Sequence, residues 1–517
     1  MRRIAFALTP LLLAPFLALP ASPVVTPTDM GDACTCVELF DALAAKVEAN
    51  YPGYLLEIRG TDRAYDYLSA RSTARAAADA AMPGLGCVAV LQDYVAWFRD
   101  GHLFVGGRPP VETSADSTRL RDATPRVERD EADVLRYLDS PATLLDPVEG
   151  IWRDASGLEI AIVRENEDGA GDRFVAFVLS SQSDHWKPGE VKAELTALPD
   201  GSYDVVLYDD AHARTRPHVF KRNHAGGGRL QRGGLLLHMA PMTWGKLHPV
   251  RPGLEGRIDP VDPRAPTARL VGDDTVVFHV PSHVPAHAAR LGALIEQYRG
   301  ALGRASTMIV DLRGNEGGSA FVTNALMPFL ITREKQPARY LQEGAPAVLT
   351  SADNVAFFER TSWAPPGLVE RLRAAEPGTL VPFEDDPASP ADEEETASSA
   401  DVATDHPINV AILTDEMTVS AAEAFVLKAM RNGKVTLFGQ PTGGSIDYQT
   451  VNIVSFGCPE AGLYVGYPTI VGSDHLPVGG TRTTGIVPDV RLDPADPDPI
   501  QRIIEQYARE ASAHSGQ

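Results

Sequence analysis

The sequence predicts an α/β protein in three parts, and three successive patterns of hydrophobic spacing carry that prediction. Apolar residues recur three and four apart over residues 37–103, alternate with polar ones from about 140 to 250, and fall into alternating strand and helix runs over 262–500. We place the domains accordingly: a helical domain at 30–137, an antiparallel β module at 138–255 and an α/β core at 262–500. In a chain of 517 residues, each part has enough length to bury a core of its own.

Residues 1–22 are laid out as a secretory signal peptide, with Arg2 and Arg3 before the apolar run from Ile4 to Leu19, and with Ala18, Ala21 and Ser22 offering small side chains for cleavage. Pro10, Pro15 and Pro20 break up the apolar stretch, whereas a spanning helix needs about 20 uninterrupted apolar residues. The expectation is a periplasmic or secreted protein without a stable membrane anchor.

In the helical domain the periodic runs are "VELFDALAAKVEANY", "YDYLSARSTARAAADAAM" and "VAVLQDYVAWFRD", with a short helix expected at "EADVLRYL". The β module contributes "LEIAIVRE", "RFVAFVLSS", "SYDVVLYD" and "LLLHMAP", separated by Gly- and Asp-rich turns, a spacing that suits a barrel or sandwich. It holds no residue in a chemical motif, so its expected role is a spacer or lid. The core alternates "TVVFHVP", "AHAARLGALIEQYRGAL", "STMIVDLRG", "AFVTNALMPFLIT", "NVAILTD", "SAAEAFVLKAM" and "VTLFG". Residues 376–405 interrupt it with an acidic, Pro- and Ser-rich stretch, expected to be a disordered insertion.

A net charge of −22, with 47 Lys and Arg spread along the chain, argues against a nucleic-acid partner, which calls for a basic patch. The four cysteines match no paired zinc pattern, so neither metal nor cofactor is expected. In an oxidising compartment Cys87 is expected to pair with Cys34 or Cys36, leaving Cys458 free.

Two segments carry chemistry. In "AILTDEMTVSAAEAFVLKAM" a buried strand runs through a polar turn into a helix and puts Ser420 at the helix N-terminus, where unpaired N–H groups favour a developing negative charge. By itself, Ser420 with Glu423 three residues on reads as a helix-capping box, which most S-x-x-E sequences are. In "STMIVDLRGNEGGSAF", Gly317 and Gly318 follow a strand and can turn backbone N–H groups toward an oxygen. No lysine follows them, which excludes a phosphate-binding P-loop.

Together, "IVDLRGNEGGS", "VAILTDEMTVSAAEAF", "VTLFGQPTGG" and "TTGIVPDV" closely resemble the core of the tail-specific (C-terminal processing) serine peptidase family over roughly residues 270–495. The resemblance implies a crotonase-like (ββα) core, with Ser420 as nucleophile and Gly317, Gly318 and Ala421 around the oxyanion hole. It also implies peptide or unfolded-protein substrates. The bacterial processing branch takes its general base from a lysine about 25 residues after the serine; here that position is Ser445, and no lysine follows Lys434. The tricorn-core branch uses a histidine from the helical domain, and "WFRDGHLFVGG" offers His102. Histidine suits the role because its ordinary pKa lies near working pH. His475, beside Asp474, is the rival, while His279, His283 and His287 read as structural because Pro281 and Pro285 prevent one continuous helical face. That branch often orients its histidine with a glutamate before the "GIVPD" segment; "GGTRTTGIVPDV" has no acid, which leaves Asp100 as the candidate nearest in sequence. Many relatives hold a PDZ domain where this chain has its β module, and no carboxylate-binding loop of that kind is legible here. The reading is a serine peptidase of unknown oligomeric state acting through an acyl-enzyme. Its alternatives are a non-catalytic ligand- or peptide-binding protein on the same fold, or an esterase or amidase using the same serine.

Overall fold

The computed structural model describes residues 34–515 apart from 82–84, 108–119, 142–143, 166–171, 200, 211, 213, 216–227, 232–233, 240–241, 251–256, 332–345, 385–404, 473–479, 495 and 497. The expected signal peptide thus lies outside the described residues. Among them no helix is long and apolar enough to cross a membrane.

Helix α1 (Cys36–Asn50) starts at a reciprocal cap: the Thr35 hydroxyl accepts from the Glu38 N–H, and the Glu38 carboxylate accepts from the Thr35 N–H. It is followed by α2 (Pro52–Glu57), α3 (Ala64–Ala80), α4 (Leu85–Ala96) and the short strand β1 (Phe104–Gly107). Helix α5 (Glu131–Leu138), read from the sequence as part of this domain, packs elsewhere. Its Val134 and Leu138 bury against Ile151, Ala161, Val163 and Phe177 of the β module.

That module consists of β2 (Gly150–Arg153), β3 (Glu159–Arg164), β4 (Arg173–Ser180), β5 (Val191–Ala197), β6 (Tyr203–Tyr208), β7 (Arg214–Thr215), β8 (Gly228–Gln231), β9 (Leu236–Met239) and β10 (Met242–His248). The strands pair in the order β5-β4-β3-β2-β10-β9-β8-β6-β7, and β5 also pairs with β6, which closes the sheet into an antiparallel barrel with β7 outside the ring. Alternation sends Ile160, Ile162, Phe174, Ala176, Val205 and Leu237 inward around Trp152 and Trp244. Strand β3 reads apolar on both faces because its outer face is covered by α5.

The core sheet comprises β11 (Thr267–Val271), β12 (Thr275–His279), β13 (Thr307–Asp311), β16 (Asn409–Thr414), β17 (Val435–Gly439) and β20 (Val490–Arg491), in that order, parallel except for β11. Both faces are covered, as parallel strands require. On one side α6 (Ala288–Leu302) and the helix Ala421–Ala429 pack on Val276, Phe278, Val310 and Ile412. On the other, Ile500, Ile503 and Tyr507 of the C-terminal helix Pro499–Ser515 cover Val277, Ile309, Ala411 and Leu413, an element that the spacing in the sequence did not suggest.

A second, antiparallel sheet joins the parts: β14 (Ala347–Leu349), β15 (Leu380–Pro382), β18 (Tyr448–Ser455) and β19 (Leu463–Val471), with β1 paired to β19. Tyr448, Phe456, Leu463, Val465 and Tyr467 complete the core around Phe40, Leu43, Val47, Leu91 and Phe98, so the helical domain closes on strands some 350 residues further along the chain. Part of the stretch 376–405, expected as a disordered insertion, is ordered instead. Leu380–Pro382 form β15 against β14, with Val381 buried and Phe383 packed against the same cluster; residues 385–404 lie outside the described residues.

Cys36 bonds Cys87, as expected, but Cys458 is not free: it bonds Cys34. The reason is the shared core, which brings the start of α1 beside the β18–β19 connection. Peptide mapping under non-reducing conditions should recover both cross-links and no alkylatable thiol. Replacing Cys36 and Cys87 by serine should cost about 2–4 kcal/mol in denaturant unfolding, the usual effect of opening a loop of this size.

Candidate active site

Strand β16 enters the turn that ends at Ser420, N-cap of the helix α10 (Ala421–Ala429), which comes after α7 (Met327–Leu330), α8 (Ala352–Glu359) and α9 (Leu368–Ala374) in the chain. Ser420 has φ +57° and ψ −122°, a backbone that L-residues with a side chain rarely adopt. Its N–H is held at 3.0 Å by Glu423 Oε2 and at 2.9 Å by Ser445 Oγ. Glu423 is fully buried and also accepts from Thr442 Oγ1 (2.6 Å), Gly444 N–H (2.8 Å), Ser445 N–H (2.8 Å) and Ser445 Oγ–H (3.0 Å). These bonds offset the cost of burying a carboxylate and tie Ser420 to the 442–445 turn. The S-x-x-E spacing was legible only as a cap; the reach of Glu423 to a turn about 20 residues further on was not.

The glycine turn meets the Ser420 turn along its length. Gly314 N–H donates to both oxygens of Asp415 at 3.1 Å, Thr418 Oγ1 donates to Leu312 O at 3.1 Å, and Val419 N–H donates to Asn315 O at 3.0 Å. At Gly317 (φ +83°) a Cβ would stand 2.6 Å from Ser420 Cβ and 3.0 Å from Ala421 N, so only glycine permits this approach. Gly317 N–H is engaged by Asn315 Oδ1 at 2.9 Å; of the three oxyanion candidates, the donors that remain are Gly318 N–H and Ala421 N–H.

His283 sits behind this turn, fully buried. Its N–H donates to Gly317 O at 3.1 Å, its carbonyl accepts from Ser319 N–H at 2.8 Å, and its Nδ1 lies 3.0 Å from Asn315 Oδ1. Burial pushes its pKa below the usual value, against the opposing bond to Asn315. His279 rests on Asp311 at 3.0 Å and His287 on Asp262 at 2.9 Å, so the three histidines have separate partners. Among the described residues no group of three or more His, Cys, Asp or Glu side chains is placed to hold a metal ion.

His102 lies after α4, just before β1. Its Nδ1 is 2.7 Å from Tyr448 O. A carbonyl can only accept, so Nδ1 carries the proton of the neutral ring and the Nε2 lone pair is left available. Asp100 does not reach the ring: Oδ1 accepts from the His102 backbone N–H at 2.9 Å and Oδ2 from the Tyr51 hydroxyl at 2.8 Å. Burial pushes the Asp100 carboxyl upward, with His102 opposing. The orienting group is thus a backbone carbonyl, which no side-chain motif can reveal. Tyr448 lies three residues beyond Ser445, so one short segment touches the Ser420 backbone at its start and the His102 ring at its end.

The segment before "GIVPDV" supplies an arginine in place of an acid, and that arginine meets Glu57 from another element. Glu57 of α2 accepts from the Tyr448 hydroxyl at 2.7 Å and pairs with Arg482, whose guanidinium lies 5.6 Å from the centre of the Tyr448 ring. Sequence reasoning missed both Glu57 and Arg482. His475 lies outside the described residues.

Residues 278–492 match the family model of peptidase family S41. No curated protein matches the chain. Among solved structures the chain is similar to mature CPAF complexed with lactacystin, with 12% identity over 92% of this chain and 97% of that one and a TM-score of 0.41. It is also similar to the photosystem II D1 C-terminal processing protease (12% identity, 89% and 94% covered, TM-score 0.32). For the tricorn protease the figures are 14% identity, 93% and 37% covered, and a TM-score of 0.35. The stretch matched by the family model contains the glycine turn, Ser420, Glu423, Ser445 and the "GIVPDV" segment, whereas His102 precedes it. The similarity to peptidase family S41 thus rests on residues 278–492, the stretch that carries both motif-bearing turns.

Proposed function

We propose that the protein is an exported serine peptidase acting through an acyl-enzyme on Ser420, with His102 as general base. One observation carries the reading: Ser420 is held in a strained backbone at a helix N-terminus against Gly317, while the segment that fixes it also sets the tautomer of His102. In the proposed reaction, Nε2 of His102 takes the Ser420 hydroxyl proton as Oγ attacks the peptide carbonyl carbon. The oxyanion is met by Gly318 N–H and Ala421 N–H, and the imidazolium then protonates the leaving amine. Water, activated by the same ring, releases the acyl group. Export is supported by the N-terminal layout and by two disulfides, which suit an oxidising compartment. Peptides or unfolded segments are the proposed substrates. A closed barrel occupies the place where many relatives have a PDZ domain, so recognition of free C-termini is not part of the proposal.

A fluorophosphonate probe should label the protein at Ser420 and leave Ser420→Ala unlabelled, and an unfolded protein such as casein should be cleaved. Labelling without cleavage would favour the esterase or amidase reading. His102→Ala should lower kcat by about 10⁴-fold or more, since members of such a unit act together, while circular dichroism remains that of the folded protein.

Ser445→Lys should not restore activity to the His102→Ala protein. Position 445 is buried with its side chain 3.0 Å from Glu423 Oε2, so a new ammonium would be held charged by that carboxylate and have no lone pair to take a proton. Rates comparable to the unaltered protein in the double variant would contradict His102 as the base.

A further inference from the structure

The turn before Ser420 and the glycine turn both touch the barrel. Strands β8 and β9 form a hairpin in which Arg229 and His238 stand directly opposite each other. Arg229 Nη1 is 3.1 Å from Glu416 Oε1, and His238 Nε2 is 2.9 Å from Glu316 Oε1, the latter in a bent contact rather than a straight hydrogen bond. Glu416 lies in the turn that ends at Ser420, and Glu316 immediately precedes Gly317. The His238 ring is buried and is also fixed from its own barrel, with Nδ1 3.2 Å from Thr243 Oγ1 on the paired strand β10. Two neighbouring side chains on one pair of strands therefore hold the two turns that carry the oxyanion donors, Gly318 on one and Ala421 on the other.

We propose that the barrel is part of the catalytic apparatus, with Arg229 and His238 as positioning residues that set the spacing of the two turns and so of the Gly318 and Ala421 N–H groups. The inference rests on the Ser420 reading above. Within the core, the turns are bonded to each other through Leu312, Gly314 and Asn315, on the near side of the glycines. Gly317 and Gly318 sit at φ +83° and +133°, a backbone open to glycine; His283 holds them from the core side, and the barrel contact falls beside them. Cross-strand neighbours are held about 5 Å apart by the ladder itself, which makes the hairpin a rigid gauge. Oxyanion donors need such a gauge, because their effect depends on placement to within about 0.5 Å. A barrel in this role affects chemistry on substrates too small to touch it, which a lid would not.

The experiment compares the full chain with Arg229→Ala, His238→Ala and Arg229→Glu, measuring hydrolysis of p-nitrophenyl acetate and the rate of fluorophosphonate labelling of Ser420. Both rates should fall about tenfold to a hundredfold with KM little changed, less than the 10²–10³-fold lost when an oxyanion donor is removed outright. His238→Gln, whose amide N–H falls near the place of Nε2, should keep most of the rate. The exchanged pair Arg229→Glu with Glu416→Arg should recover much of what Arg229→Glu alone loses, a rescue that general destabilisation cannot produce. If the alanine variants do not fold, the glutamine variant and the exchanged pair decide the question. Unchanged ester and labelling rates, with only the peptide KM altered, would overturn the inference and leave the barrel an access element. An exchanged pair no better than Arg229→Glu alone would overturn it as well. Absence of labelling in the unaltered protein is a distinct result, which overturns the Ser420 reading and this inference with it.

Discussion

Glu423 is the group on which the site depends. A carboxylate with no exposed surface must be matched by donors, and here they come from Ser420, Thr442, Gly444 and Ser445. Each such charge-assisted bond contributes about 1.5–3 kcal/mol. The acceptance from Ser420 N–H helps hold a backbone that serine would otherwise leave, and the acceptances from 442–445 bring that turn against Ser420. The strand leaving this turn is constrained as a result: Tyr448, close behind Ser445, presents its carbonyl to His102. One buried charge thus links the helix N-terminus, the turn that lacks a lysine and, through the strand after it, the histidine from the other end of the chain.

A second constraint comes from shared cores. The N-terminal helices have no complete hydrophobic core of their own; they are completed by β18 and β19, pinned by the Cys34–Cys458 bond and tied by the Glu57–Arg482 pair. This packing, more than any local signal, delivers His102 to the segment that leaves the 442–445 turn. The barrel is joined differently. It has its own filled interior, and it meets the site through charged and polar contacts at the glycine turn and the Ser420 turn. A self-contained unit attached at those two places need not contribute to folding of the core in order to influence its chemistry.

The fold class was legible in the hydrophobic spacing, because helices and strands that bury one face impose their periods on any chain that forms them. The same spacing misplaced α5, since an amphipathic helix declares that it will be buried but not against what; Val134 and Leu138 chose the barrel. The strand at Leu380–Pro382 was hidden by the acidic composition around it. Cys458 was read as free because pairing over 424 residues depends on which surfaces meet.

At the candidate site, the meeting of Ser420 and the glycines leaves local marks in the sequence: a serine at a helix N-terminus, and no side chain where Gly317 passes Ser420. Local sequence order alone determined these. The tertiary structure decided the rest: that a backbone carbonyl and not Asp100 holds the His102 ring, that Glu423 is an anchor as well as a cap, that Glu57 and Arg482 meet at Tyr448, and that Arg229 and His238 reach the two turns. Those contacts join elements far apart in the chain. Their geometry is set by the packing of shared cores and by the cost of burying unpaired charge, neither of which leaves a local pattern to read.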